Sequence, residues 1–178
     1  MAKGVRGVKA LLIVDILNDF VHPKGALYVG DQVREVIGFC KELITTKRKQ
    51  GDPLFFICDT HRKDDAEFEL FPPHCIEGEW GNKIFEELQP EKDDYIIPKR
   101  RFSAFFGTPL DMFLREAKIE ELEVVGVCTN ICVLYTVASA RMLGYQVKVY
   151  GQGVTSFDLD AHRFALKEMS NTLKAEVV

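Results

Sequence analysis

The chain has 178 residues, 47% of them apolar and 28% charged, which suits one domain with a sizeable core and excludes disordered and fibrous classes. A net charge of −4 argues against nucleic acid as a partner, because phosphate binding needs a basic face. Five cysteines, Cys40, Cys58, Cys75, Cys128 and Cys132, are an odd number without regular spacing, so reduced thiols and a cytoplasmic protein are expected in place of a disulfide framework.

The polar, basic start gives way over residues 9–16 to the apolar run Leu11-Leu12-Ile13-Val14, which stops at Asp15. That run is too short to span a membrane and lacks a small-residue cleavage site, so it reads as a buried strand. Over 31–49, Val33, Val36, Ile37, Cys40, Leu43 and Ile44 recur on one helical face, and Lys47, Arg48 and Lys49 complement the dipole at its end. Gly51-Asp52-Pro53 stops this helix, and residues 54–58 form a second strand leading to Asp59. The stretch from 60 to 93 is rich in Pro, Gly and charge, with a short helix expected near 83–88; its length marks a functional loop.

A third short strand covers 95–97 and ends at Pro98-Lys99. Thr108-Pro109-Leu110-Asp111 has the hydroxyl cap, first-turn proline and early acid of a helix start. Residues 122–127 are a fourth strand, and 130–143 are apolar nearly all round, predicting a buried helix closed by Gly144. Strands at 146–150 and 175–178 flank a helix over 160–169. Continuous apolar strands joined by helices imply a doubly wound, mostly parallel α/β sheet, a single domain over 1–178 without repeats or linkers.

In such a sheet the site lies beyond the carboxyl ends of the strands. The residues there are Asp15, Asp59 with His61, Lys99, and the turn from Cys128 to Cys132. Cys132 enters a helix, where unpaired N–H groups and the dipole favour a thiolate and can hold an oxyanion. Read alone it could equally be a small buried hydrophobe, the fate expected for Cys40 and Cys58. Asp15 could take its proton if burial raises the carboxyl pKa, and Lys99, directly after its strand, is favoured over Arg100 and Arg101 as the charge partner. Asp59 and His61, two apart on an extended segment, can share one ion with His74, which prolines hold stiffly, and with Glu67 as a fourth ligand. Mixed carboxylate and imidazole ligation suits one divalent Zn, Mn or Fe, zinc first. His22 and His162 lack such partners and are read as structural or surface residues.

These pieces resemble a known family. Ile13-Val14-Asp15-Ile16-Leu17-Asn18-Asp19-Phe20, Asp59-Thr60-His61, Phe71-Pro72-Pro73-His74, the run from Lys99 to Phe105, and Gly126 to Val133 match in order and rough spacing the nicotinamidase/pyrazinamidase group of the isochorismatase-like cysteine hydrolases, along essentially the whole chain. The resemblance implies a six-stranded sheet of order 3-2-1-4-5-6 and the triad Asp15, Lys99 and Cys132. It implies metal ligation by Asp59, His61 and His74, with Glu67 where some members supply a further acid. The oxyanion hole would use the backbone N–H groups of Cys128 and Cys132, with a cis peptide at Val127–Cys128. Phe20, Phe71 and Phe106 fall at positions expected to wall the pyridine pocket.

The implied reaction converts nicotinamide, and also pyrazinamide, to the acid and ammonia through a thioester, with no organic cofactor. No membrane or nucleic-acid partner is expected. Related enzymes self-associate, although no residue pattern here marks an interface. The chain departs from the family at Asn130, commonly Asp and expected to cap the helix, at Cys128, commonly aliphatic, and at Phe71, often Trp, which implies a roomier pocket. Three rival readings stay open: a sibling hydrolase acting on another small amide, a ureide or the isochorismate vinyl ether, a silent binding protein, and a redox protein pairing Cys128 with Cys132.

Overall fold

The structure, a computed structural model, describes residues 8–178, so the first seven residues of the expected domain lie outside the described residues. Six strands form one sheet: β1 (Val8–Val14), β2 (Leu54–Asp59), β3 (Tyr95–Lys99), β4 (Ile119–Val127), β5 (Gln146–Thr155) and β6 (Glu176–Val177). Their order is β3-β2-β1-β4-β5-β6, and every pairing is parallel. The helices are α1 (Asn18–Val21), α2 (Val33–Gln50), α3 (Leu110–Glu116), α4 (Leu134–Met142) and α5 (Leu159–Asn171).

A parallel sheet needs cover on both faces because its crossover helices pack there. Alternate residues of β1 serve the two layers. Leu11 and Ile13 join Leu54, Phe56 and Val125 under α2, which contributes Val33, Val36, Ile37, Cys40 and Ile44. Leu12 and Val14 join Phe55, Ile57 and Val124 under the other helices, represented by Leu110, Leu114, Val137, Ala140 and Met169. Leu11, Leu12 and Val14 are all fully buried, and truncating such a residue to Ala typically costs about 2–5 kcal/mol. Gly51, with φ of 76°, ends α2 by donating its N–H to the carbonyls of Lys47 and Arg48.

β1 and β4 are the central pair, and the chain reverses its winding between them, which opens the crevice where such folds bind ligands. Gly126 makes their close approach feasible. A Cβ there would lie 2.0 Å from the Val14 carbonyl oxygen, and its φ of 124° is open to glycine. One residue past Val14, Asp15 takes a φ of 53°, a left-handed conformation that Asp tolerates better than most residues.

Several elements differ from the sequence expectation. The span 130–143 is not one buried helix: a π-helical turn over Thr129–Val133 leads into α4, and Tyr135, Met142 and Leu143 face solvent. Apolar composition alone does not reveal which of its sides the sheet covers. Asn130 does not cap this segment; its side-chain oxygen accepts a hydrogen bond from Ser156 Oγ at 2.6 Å. β5 runs five residues beyond the expected end, because Val154 and Thr155 resume pairing with β4 after an irregularity. The long excursion carries 3-10 turns at Ala66–Glu69 and Glu86–Leu88 in place of a helix over 83–88. At α3 the Thr108 hydroxyl accepts the Leu110 N–H at 3.3 Å, but the helix begins at Leu110 with Pro109, not Thr108, in the cap position.

Candidate active site

Four strands deliver side chains to one end of the sheet. Asp15 follows β1, Asp59 and Lys99 are the last residues of β2 and β3, and Cys132 lies in the turn after β4. Lys99 starts two strands away from β1, roughly 10 Å, and its long stem crosses the end of β2 to reach the centre. Its Nζ lies 2.9 Å from Asp15 Oδ2 and 2.9 Å from Asp59 Oδ1, and it donates to Cys132 Sγ at 3.4 Å. Asp15 Oδ1 accepts the Asp59 backbone N–H at 2.8 Å. Asp15 Oδ2, although close to Lys99, takes no aligned hydrogen bond, which leaves it an open acceptor.

Burial governs the proton affinities here. It pushes the Asp15 carboxyl up to about 6 against the pull of Lys99, into the range of a general base. Burial also pushes the Cys132 thiol well above its ordinary value, with Lys99 opposing and the two carboxylates reinforcing. Dry surroundings and two acids thus oppose the thiolate that helix position favours, while Lys99 supports it. Burial disfavours the Lys99 ammonium too, but Asp15, Cys132 and Asp59 outweigh it and keep the group charged. Burial likewise opposes the Asp59 carboxylate, yet Lys99 and the two imidazoles hold its pKa well below the usual range.

Asp59 joins this trio to a second cluster. His61 Nε2 lies 2.9 Å and His74 Nε2 3.2 Å from Asp59 Oδ2, and Glu67 Oε1 lies 3.8 Å from His61 Nε2. One ligand atom from each of Asp59, His61, Glu67 and His74 lies within 4.8 Å of all the others, and all four residues are buried. Pro72 O can only accept, so His74 Nδ1 donates to it at 2.8 Å and turns Nε2 inward. Nitrogen lone pairs and carboxylate oxygens converging on one spot need a cation between them, a proton or a metal ion. Burial disfavours a charged His61 ring, but hydrogen bonds to Asp59 and Asp65 outweigh it and raise its pKa. Glu67 Oε2 is buried with no hydrogen-bond partner, a further mark of a place for positive charge. The donor set, two imidazoles and two carboxylates, fits a divalent ion such as zinc.

Above both clusters lies a narrow cleft. Cys132, Cys128, Asp59, Glu67 and His74 form its floor, and Phe20, Leu27, Phe71, Phe102, Ile131 and Phe157 its walls. Among the described residues no lysine or arginine lines it. Phe20 and Phe71 meet His74 edge-on, with ring centroids at 5.6 and 6.2 Å. Phe106 is not part of this cleft; it is 68% exposed and borders a separate depression with Arg100 and Arg101, because the chain turns outward at Ser103–Gly107. Phe102, Leu27, Ile131 and Phe157 were missed. Phe102 stood inside a quoted motif and Phe157 just past the end of β5, a position the strand-end rule covers; Leu27 carried no signal.

The peptide Val127–Cys128 is cis, and all five cysteines are free thiols. Burial pushes the Cys128 thiol up to about 12, which makes it a poor partner for redox exchange. His22 packs against Trp80, and His162 bonds Thr129 in the turn that carries Cys132; neither contacts the acid, lysine and imidazole groups described above. Among the described residues no helix is long and apolar enough to cross a membrane.

Comparisons with known proteins agree with this architecture. The chain is 38% identical over 183 residues to the isochorismatase family protein PncA of Bacillus subtilis, covering 95% of this chain and 98% of that one. A crystal structure of nicotinamidase/pyrazinamidase PncA from Bacillus subtilis superposes with a TM-score of 0.91 at 37% identity, covering 96% and 98% of the two chains. Pyrazinamidase of Pyrococcus horikoshii in complex with zinc superposes with a TM-score of 0.90 at 26% identity, covering 96% and 98%. A probable inactive nicotinamidase of Arabidopsis thaliana is 30% identical over 173 residues, 91% of this chain and 88% of the relative. Residues 9–178 match the family described as Isochorismatase domain, and the chain belongs to the isochorismatase family of hydrolases.

Proposed function

We propose that this chain is a metal-assisted cysteine amidohydrolase, one hydrolase domain that converts nicotinamide to nicotinate and ammonia and also accepts pyrazinamide. The observation that carries the proposal is the junction at Asp59, where Lys99 links Asp15 and Cys132 to the four-residue cluster beneath a single apolar cleft. Relatives described as nicotinamidases and pyrazinamidases support the same reaction class.

The residues act in a fixed order. The substrate ring lies between Phe20, Phe71, Phe102 and Phe157, with its carboxamide over Cys132. Asp15 Oδ2 takes the thiol proton while Lys99 offsets the charge, and the sulfur adds to the amide carbon. Backbone N–H groups of Cys128 and Cys132 receive the oxyanion. Asp15 returns the proton to the departing nitrogen, the C–N bond breaks, and ammonia leaves a thioester on Cys132. A water molecule, deprotonated by Asp15, then adds to the thioester; the C–S bond breaks, the thiol regains its proton and the acid departs. Asp59, His61, His74 and Glu67 would hold the ion, zinc by preference, which when bound supplies a Lewis acid for the ring nitrogen. The free thiols fit a reducing cytoplasm.

A sibling activity on a ureide or on isochorismate is disfavoured by the cleft. N-carbamoyl amino acids and isochorismate carry carboxylates, and among the described residues no lysine or arginine lines the cleft to receive one. The test is ammonia release by zinc-loaded protein from nicotinamide, pyrazinamide, benzamide and an N-carbamoyl amino acid. Nicotinamide and pyrazinamide should be hydrolysed and benzamide, without a ring nitrogen, far more slowly. Faster turnover of the ureide would replace this proposal with the sibling reading.

A further inference from the structure

Within the stretch between His61 and His74, one acid does two things at once. Asp65 Oδ2 lies 3.1 Å from His61 Nδ1, and its Oδ1 accepts the Glu67 backbone N–H at 3.0 Å. The second bond opens the 3-10 turn Ala66–Glu69, so the same side chain that meets one presumed ligand starts the turn that carries another. Arg101 Nη1 donates to Asp65 Oδ1 at 3.0 Å and lies 3.8 Å from Glu67 Oε2. The Asp65 side chain is only 6% exposed.

We infer that Asp65, anchored by Arg101, is the positioning residue of the Asp59/His61/Glu67/His74 centre, fixing the ring of His61 and the entry of Glu67 together. An ionised carboxylate only accepts hydrogen bonds, so it holds the ring proton on Nδ1 and leaves the Nε2 lone pair facing Asp59. His74 achieves the same orientation with a backbone carbonyl, which no side-chain substitution can remove. His61 therefore depends on a side chain, and the arginine gives the second guanidinium-type residue of Lys99-Arg100-Arg101 a function its neighbour lacks. Among the described residues Arg100, by contrast, pairs with the exposed Glu77, at 3.7 Å.

The inference rests on the metal reading above, and the experiment separates the two. Zinc affinity is measured by chelator competition for wild type, Asp65→Asn, Arg101→Gln and the exposed control Asp64→Asn, with the melting temperature of each metal-free protein. Cobalt-loaded samples add a visible spectrum that reports the ligand set. In Asp65→Asn an amide N–H can face His61 and favour the proton on Nε2, so zinc affinity should fall about 10–100-fold, with an altered cobalt spectrum. Arg101→Gln should show a smaller loss in the same direction, and Asp64→Asn none. Should Asp65→Asn fail to fold, the Arg101→Gln affinity and spectrum decide alone. Wild-type zinc affinity and cobalt spectrum in the deciding variants would overturn the inference, whereas a wild type that takes up no zinc would overturn the metal reading beneath it.

Discussion

Two groups of buried charge sit at opposite ends of the same sheet. Near the amino ends of the strands, Glu123 of β4 is 3% exposed, and Lys47 at the end of α2 is 7% exposed. Both Glu123 oxygens are occupied: Oε2 by Lys47 at 2.7 Å and the Tyr150 hydroxyl at 2.7 Å, Oε1 by Lys9 at 3.7 Å. At the carboxyl ends, Asp15, Asp59, Lys99, His61, Glu67 and His74 are equally hidden, yet Asp15 Oδ2 and Glu67 Oε2 have no hydrogen-bond partner. Burying charge is costly in either place. The first group offsets that cost with permanent partners, so it does nothing but hold the sheet to α2. The second also has ion pairs, with Lys99 2.9 Å from Asp15 Oδ2 and Arg101 3.8 Å from Glu67 Oε2, but neither oxygen takes a hydrogen bond, so a thiol proton and a cation can still be received there. Unmet demand, and not burial or charge as such, separates a site from a strut.

The comparison can be broken most forcefully at Asp15. Replacing it with Asn removes the open acceptor while Lys99 keeps Asp59 as counter-ion, so the protein should fold but lose about 10³-fold in nicotinamide turnover, followed by ammonia release. Equal turnover would mean that another group takes the thiol proton. At the other end, Lys47→Met leaves Glu123 buried with weaker compensation and should cost about 3 kcal/mol in urea denaturation, with kcat per folded molecule unchanged. Lys47→Met combined with Glu123→Leu should recover most of that loss, because no deeply buried charge is left unpaired; Asp52, the other partner of Lys47 at 3.2 Å, is 23% exposed.

Acid sharpens the contrast further. Activity needs Asp15 deprotonated, so kcat/KM should fall about tenfold per unit as pH drops below about 6. Glu123 behaves in the opposite sense: burial raises its pKa, but Lys47, Tyr150 and Lys9 prevail and lower it. Its contribution to stability is fully present above the unfolded-state value, about 4.3, and disappears only as pH falls through the lower folded value. Activity should therefore fail well before the fold does, a gap that parallel rate and circular-dichroism titrations would measure.

Much of this was legible in the residues. Strand identity and the acids, lysine and cysteine at strand ends followed from apolar runs that stop at a charged or thiol residue, because a buried parallel strand tolerates such residues only at its end. The four-residue cluster was readable for a similar reason, since short spacing and prolines restrict where His61 and His74 can point. What stayed hidden depends on tertiary neighbours. Tyr135 looks like core in a one-dimensional pattern and Phe106 was placed at the pocket by the resemblance alone; both are exposed in the fold. Asp65 sits between Asp64, which is exposed and paired with Arg62, and a turn, and nothing local distinguishes the two acids. The opposing influences on the Cys132 thiol were not legible either, because helix position is local, while dryness and the two carboxylates come from other strands.

The most direct test is the rate of ammonia release from nicotinamide by wild type and Cys132→Ala at matched zinc content. Wild type should turn over and the variant should lose at least about 10⁴-fold, while binding zinc with unchanged affinity. A variant that hydrolyses nicotinamide at close to the wild-type rate would contradict the covalent account outright.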